Sequence, residues 1–323
     1  MKAVFVTRYG GPEVLEVKDA ARPQPKENEL LIKVHASGLS TASAMMRTGT
    51  PRFARLFLGL KRPRRPIPGS GFAGLVAGKG TNVTGYEIGD AVFGHTAAIF
   101  GTNAEYVCVP ADGVVMPLPD FLSFEEASIM SDGPVTSYNF LKNLAKVQPG
   151  QKVLINGASG SLGVAAVQIA KRMGAEVTGV CSTANVELVR SLGADHVIDY
   201  KQQDFSKGDE QYDVVYDTIG KSSMGEAKHV LTPDGIYMSP VLTLAMLKQM
   251  LLNPFRGGRK TKFEATGIKP VKDFKQMIGG LLQMMSTGTF NAVIERRYAM
   301  EDIVEAHRYI DSGHKRGNIV LSM

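Results

Sequence analysis

Residues 152–174 read KVLINGASGSLGVAAVQIAKRMG, and this stretch decides the fold. Val153, Leu154 and Ile155 form a short apolar run of the kind buried on both faces of a parallel sheet. The chain then turns through Gly157, Ser159, Gly160, Ser161, Leu162 and Gly163 into an amphipathic helix carrying Ala165, Ala166, Ile169 and Ala170. Glycines allow a tight turn and a close backbone approach to a pyrophosphate, whose oxygens the helix N-terminus attracts. The spacing is G-x-x-G-x-x-G rather than G-x-G-x-x-G, so its context must carry the assignment of a dinucleotide site.

Working outward, strands are predicted over 176–181, 196–200, 212–217 and 235–238, with a helix over 185–192. Strands alternating with short helices predict an α/β fold, a doubly wound parallel sheet that binds ligands at the carboxyl ends of its strands. Thr218, Ile219 and Pro240 fall at such ends. The earlier chain differs: strand-like runs at 2–6, 14–17, 30–36, 72–77, 91–93 and 104–109, punctuated by Gly and Pro, predict a small antiparallel barrel. After Gly267 come a helix, a strand over 292–296, a helix over 303–310 and a last strand over 318–321. The two ends therefore form one domain, 1–121 with 266–323, around an inserted nucleotide domain, 122–265.

At 323 residues, 44% hydrophobic and 21% charged, the chain can bury two cores. The N-terminus MKAVFVTRYG already alternates like a strand, with no cleavable apolar region, and the most apolar stretch, 241–252, is short and interrupted by Lys248. A cytoplasmic protein without a membrane span is expected. Cys108 and Cys181 are the only cysteines and both sit in strand-like runs, which predicts buried reduced thiols. The net charge of +6 and the cluster Lys61, Arg62, Arg64 and Arg65 admit a nucleic-acid partner. The cluster has few interleaved aromatics and no recognisable module, so a solvated loop, or an entrance loop for an anionic ligand, fits it better.

Cofactor choice is legible after the strand 176–181. An enzyme preferring NADH normally presents a carboxylate there to the ribose hydroxyls. This chain presents Ser182, Thr183, Ala184 and Asn185, so NADPH is expected, with NADH the second choice.

Several stretches, in this order, carry a resemblance: MKAVFVTRYGGPEVLEV, ELLIKVHASGLS, GFAGLVAGKGTNVTGYEIGDAVFG, AEYVCVP, GASGSLGVAAVQIAK, LVRSLGADHVIDY, YDVVYDTIG and AHRYIDSGHKRGNIVL. Over essentially its whole length the chain resembles the zinc-independent, zeta-crystallin-like quinone oxidoreductases of the medium-chain dehydrogenase/reductase superfamily. The resemblance implies a Rossmann domain inserted into a GroES-like barrel domain, an active site in the cleft between them, and a homodimer. It places Tyr200 beside the 2′-phosphate and Thr136 near the nicotinamide. It also places Asn318 where relatives carry a cofactor-contacting cation. In zinc-dependent relatives the catalytic metal sits on cysteine, histidine and cysteine. Here Ser40 follows Leu39 with no cysteine, Ser70 replaces the histidine, and residues 130–133 offer no thiolate. Two cysteines also cannot make a four-cysteine site. No zinc is therefore expected, and His95 reads as a structural histidine.

Without a Lewis acid the hydride acceptor must be easily reduced, such as a quinone or an enone. Ser40 is the first candidate to donate a hydrogen bond to the acceptor oxygen, although a serine there equally caps a turn. Ser43 and Arg47 follow at a spacing that shares one helix face; Arg47 could instead pair with an acid. Met45 and Pro51 stand near the places of tyrosines found in some relatives, which leaves reductases of enones, alkenals or enoyl thioesters as the alternative. A third class is an RNA-binding or structural zeta-crystallin-like protein with little turnover.

Overall fold

The computed structural model describes residues 1–50, 52, 55–253 and 257–323, so Pro51 lies outside the described residues. The chain packs as two compact units, 1–133 with 267–279 and 294–323, and 134–266 with 280–293.

The first unit contains β1 (Lys2–Val6), β2 (Leu15–Asp19), β3 (Glu29–Leu39), α1 (Thr41–Thr48), α2 (Arg55–Leu58), β4 (Gly71–Lys79), β5 (Ala91–His95), β6 (Tyr106–Pro110), β7 (Val114–Pro117) and α3 (Phe124–Met130). The second unit opens within α4 (Gly133–Tyr138) and continues through a π-helical stretch, Asn139–Ala145. There follow β8 (Lys152–Asn156), α5 (Ser161–Arg172), β9 (Glu176–Cys181), α6 (Val186–Ser191), β10 (His196–Asp199), β11 (Tyr212–Asp217), α7 (Met224–Ala227), β12 (Leu231–Met238), α8 (Leu244–Leu252) and β13 (Lys260–Lys262). The chain ends with α9 (Val271–Ser286), β14 (Ile294–Ala299), α10 (Ile303–Asp311) and β15 (Asn318–Ser322).

The second unit carries a six-stranded sheet in the order β10-β9-β8-β11-β12-β13, every pair parallel. This is the doubly wound order, with its reversal between β8 and β11. Val153, Leu154 and Ile155 are wholly buried, as a strand covered on both faces requires. The expected helix over 185–192 starts one residue later, because Thr183–Asn185 form a 3₁₀ turn and Asn185 becomes the N-cap of α6. β13 was not anticipated: KTK has neither length nor apolar pattern, and only its register with β12 makes it a strand. Its Thr261 is bonded at both backbone groups by one side chain, Asn253, which donates to the carbonyl at 2.6 Å and accepts from the amide at 3.1 Å.

In the first unit a seven-stranded sheet runs β14-β15-β3-β4-β5-β7, with β6 also on β3, while β1 and β2 form a separate antiparallel ribbon. The expectation of antiparallel strands throughout is corrected at one place: β14 and β15 pair in parallel, joined by the crossover helix α10. Ala104 lies outside β6 and makes only an isolated bridge to Ala3. Two apolar clusters hold the unit together. Leu30, Ile32, Val34, Phe72, Val76 and Val92 fill one. Val4, Leu15, Leu39, Ile303, Ala306 and Ile319 fill the other, beneath α10.

Among the described residues no helix is long and apolar enough to cross a membrane. Both thiols are free, and burial pushes each up to about 11. Cys181 is buried as expected, whereas Cys108 is only half-buried.

Candidate active site

The turn after β8 is built by close backbone approaches. Gly157 adopts φ +79°, and a Cβ there would lie 2.7 Å from Ile219 Cγ2 and from Thr218 Oγ1. At Gly163 a Cβ would come within 2.1 Å of the Gly157 carbonyl oxygen, so α5 can seat on its turn only with glycine at that position. Gly160, the N-cap of α5, is different: its backbone is extended, and a Cβ would meet only Gly157 O at 3.5 Å. The space over Gly160 is left open by the protein itself, at the end of a helix whose first-turn amides favour an anion. The residues present therefore fit a dinucleotide pyrophosphate. Ser161 and Leu162 form that first turn, and Leu162 O accepts from Ser137 Oγ at 2.8 Å, one residue beyond half-buried Thr136 on α4.

Opposite this turn a single carboxylate organises the end of β11. Asp217, fully buried, accepts from Asn156 Nδ2 (3.1 Å), the amides of Ile219 (3.3 Å), Gly220 (3.1 Å) and Ser222 (2.8 Å), and the Tyr237 hydroxyl (3.1 Å). Burial, reinforced by Asp217 itself, raises the Tyr237 phenol well above its ordinary value, so it stays a donor. Thr218 Oγ1 donates to Asn156 O (2.8 Å) and Gly157 O (3.2 Å), joining the two strand ends. The result presents Ile219, 45% exposed, outward, with half-buried Pro240 at the neighbouring end of β12. Sequence reasoning missed Asp217 because a buried acid at a strand end looks like an exposed one.

At the end of β9, Asn185 Nδ2 donates to Ser159 Oγ (3.0 Å) and Ser182 Oγ (3.2 Å), tying the corner to the glycine turn. Its Oδ1 is buried without a partner, an acceptor awaiting a donor. Tyr200 is exposed beside this corner, its amide bonded to Cys181 O at 3.0 Å. One expectation is corrected here: the corner does hold a carboxylate. Parallel pairing sets Asp199 of β10 opposite Cys181, where it accepts from Thr183 Oγ1 at 2.5 Å, from Gln202 Nε2 and from the Lys201 amide, both at 3.0 Å. The Thr183 hydroxyl leads in holding the Asp199 carboxyl below its usual range.

In the first unit, Ser40 precedes α1 and its amide donates to Ser43 Oγ at 3.4 Å, so these two serines cap the helix. Ser40 stays half-buried while Ser43 is buried. Arg47 does share their helix, but it is turned fully inward. Its guanidinium donates to Gly10 O (2.8 Å), to His307 Nδ1 (3.3 Å) and in bidentate fashion to Asp311 (2.7 and 2.6 Å). With those donors engaged, Arg47 fastens α1 to α10 and is withdrawn as a residue touching substrate. Desolvation, aided by Arg47, depresses His307 to about 3.

A second cluster gathers at glycine-lined contacts around the end of α3. A Cβ on Gly71 would meet Ser128 O at 2.5 Å, Ser131 Oγ donates to Gly94 O at 3.1 Å, and Gly71 pairs with His95. His95 accepts from the Ala97 amide at 2.9 Å and stacks on Phe274 at 5.1 Å, the structural role expected of it. Ser70, which accepts from the Thr96 amide at 2.8 Å, lies beside it. Asp132 acts electrostatically on both His95 and Lys315. Burial pushes the Lys315 ammonium below its usual range, against the pull of Asp132 and Glu295. Lys315 was not singled out from sequence, since a lysine in a surface-like turn carries no signal. Asn318 is buried at the start of β15. Among the described residues no group of three or more His, Cys, Asp or Glu could hold a metal ion.

Comparison with known proteins agrees with this geometry. Residues 26–120 match the model of the alcohol dehydrogenase GroES-like domain, and residues 192–321 match that of the zinc-binding dehydrogenase. The human quinone oxidoreductase is 31% identical over 329 residues, covering 97% of this chain and 94% of the relative. A trans-enoyl reductase of Aspergillus terreus is 33% identical over 318 residues, covering 92% and 86%. The solved structure of a mycobacterial protein in complex with NADPH superposes with a TM-score of 0.84 at 26% identity, covering 100% of both chains.

A nucleotide-type parallel sheet and a GroES-like unit in one chain define an oxidoreductase of the medium-chain dehydrogenase/reductase superfamily. Within it, the chain belongs to the quinone oxidoreductase family.

Proposed function

We propose that the protein transfers hydride from NADPH to a quinone or similarly conjugated carbonyl compound without zinc. The observation that carries this reading is the open space over Gly160 at the entrance to α5, framed by the Asp217-ordered loop. When bound, the nicotinamide supplies the hydride. The NADPH found with the mycobacterial relative supports that cofactor, and Ser182, Asn185 and exposed Tyr200 are the groups proposed to receive a 2′-phosphate. Asp199 opposes it there, which makes the preference over NADH moderate. Thr136 and Asn318 are proposed as cofactor contacts on the resemblance, and Ser159 as part of the glycine turn.

As hydride reaches the acceptor, negative charge develops on its oxygen. The half-buried Ser40 hydroxyl is proposed to donate to that oxygen. Independence of zinc rests on Ser40 and Ser70 standing where zinc-dependent relatives have ligands, and on the chain having two cysteines in all. The Aspergillus relative favours a second reading, reduction of enoyl thioesters, in which the same oxygen is a thioester carbonyl. A homodimer is proposed on the resemblance, and a cytoplasmic location on the sequence pattern. The test follows NADPH absorbance against quinones, enones, alkenals, enoyl thioesters and primary alcohols, with and without a chelator. Chelator-insensitive reduction of quinones supports the first reading, and reduction of enoyl thioesters alone supports the second. Chelator-sensitive alcohol oxidation overturns both.

A further inference from the structure

The basic loop after α1 carries more fixed positive charge than its structural contacts use. Between the flanking acids Glu29 and Glu87, residues 30–86 contain nine Lys and Arg and no Asp or Glu. Lys33 lies apart on β3, Lys79 pairs with Glu87 at 2.9 Å, and Arg47 pairs with Asp311. Arg55 is engaged at the end of α1, donating to Gly49 O and Thr48 O, both at 3.0 Å, and lying 4.4 Å over the Tyr9 ring. Arg52, Lys61, Arg62, Arg64 and Arg65 are exposed, and among the described residues none of them pairs with a carboxylate. Glu13, the acid of the adjoining turn, accepts instead from the Gly11 amide at 3.1 Å.

A run of like charges repels itself, and a freely solvated loop would spread it. This one is held closed. The Arg64 amide donates to Leu58 O at 2.7 Å and the Gly59 amide to Arg55 O at 2.9 Å, while the Tyr9 hydroxyl donates to Gly59 O at 2.6 Å and the Val6 amide to Pro66 O at 2.7 Å. Gly59 adopts φ +125°, where a Cβ would stand 2.1 Å from Arg62 O, so the loop closes only with glycine there. Lys61, Arg62 and Arg64 are thereby displayed together on one tight turn, beside Leu56 and Leu60, 62% and 66% exposed. Charge so concentrated matches a compact polyanion, and arginine forks suit phosphate in particular.

Position narrows the polyanion. The loop begins where α1 ends, and Ser40, proposed to meet the acceptor oxygen, stands at the opposite end of that eight-residue helix, about 12 Å away. A quinone has no anionic group to place there. A thioester of the coenzyme A type has one: its pantetheine arm is long enough to cover that length and ends in a pyrophosphate and a 3′-phosphate beside an adenine, so that phosphates meet the cations and the base meets the leucines. We propose that the closed loop 58–65 binds the phosphates of a coenzyme A thioester, with Arg62 and Arg64 as specificity-determining residues. The proposal rests on the enoyl-thioester reading given above.

The test compares crotonyl thioesters of coenzyme A, of neutral N-acetylcysteamine and of an acyl carrier protein, with NADPH consumption as the readout. The KM for crotonyl-CoA is expected to lie at least about tenfold below that for the neutral thioester, and the gap to close at high salt. R62E/R64E is expected to abolish this advantage while keeping kcat, the KM for the neutral thioester, the KM for NADPH and the wild-type melting temperature. K61Q/R65Q, which removes charge without reversing it, is expected to raise the KM for crotonyl-CoA about threefold. Equal KM values for the two small thioesters, or an undiminished advantage in R62E/R64E, overturn the proposal and leave the enoyl-thioester reading intact. Turnover of no thioester overturns that reading and the proposal together. A matching rise in the KM for NADPH would assign the loop to the cofactor, and a carrier-protein thioester favoured over crotonyl-CoA through the same arginines would assign it to a protein partner; each of these overturns the proposal as well.

Discussion

Replacing Asp311 with alanine separates a structural from a catalytic role for Arg47. The guanidinium is wholly buried, while the Asp311 side chain is 38% exposed. Removing one partner of a fully buried ion pair costs about 3–5 kcal/mol. Water can reach the Asp311 side, so the expected loss is smaller, about 2 kcal/mol, with the Gly10 and His307 contacts still holding the guanidinium. For domains of this size that corresponds to a fall of about 4–8 °C in melting temperature. Calorimetry measures the fall, and NADPH consumption at 25 °C, where the variant remains folded, should change less than about threefold. The double variant R47M/D311A should be no less stable than D311A alone, because no unpaired cation is then left inside. Unchanged melting in D311A together with a hundredfold loss of turnover would refute this reasoning and return Arg47 to the reacting groups.

His307 predicts an acid limb of stability. Its folded pKa of about 3 lies below the ordinary 6.5, so the unfolded chain binds the extra proton between those values. Stability is complete above pH 6.5 and falls as pH drops toward 3, by about 5 kcal/mol at most; H307Q should flatten this limb in urea melts, and an unchanged slope would assign it elsewhere. G163A, with its Cβ 2.1 Å from Gly157 O, should destabilise by more than about 2 kcal/mol, whereas G160A should fold normally yet bind NADPH at least about tenfold more weakly by fluorescence titration. Tight NADPH binding by G160A would remove the pyrophosphate from that space. D199N should raise the ratio of kcat/KM for NADPH over NADH about fivefold, and S182D should lower it; no response in either would mean the 2′-phosphate lies elsewhere.

The second unit was readable because its strands are buried on both faces, so short runs rich in valine marked β9 and β11 at their observed bounds. Glycine spacing located the turn but not the differing roles of Gly160 and Gly163, which depend on how α5 seats. The cofactor corner was misread because Asp199 reaches it across the parallel ladder, eighteen residues after Cys181, a proximity no local window contains. The i, i+4 spacing placed Ser43 and Arg47 on one face without revealing that the face is turned inward.

The clamp of Asn253 on Thr261 reaches beyond local geometry. An outermost strand normally offers its free amides and carbonyls as a template for another chain. Here one carboxamide imitates the missing neighbour at Thr261, donating and accepting as a strand would. The same residue ends α8, so that helix is latched to the rim of the sheet. Anything that prised α8 away would also uncover an adhesive edge, and N253A should show it as aggregation before it shows as lost activity.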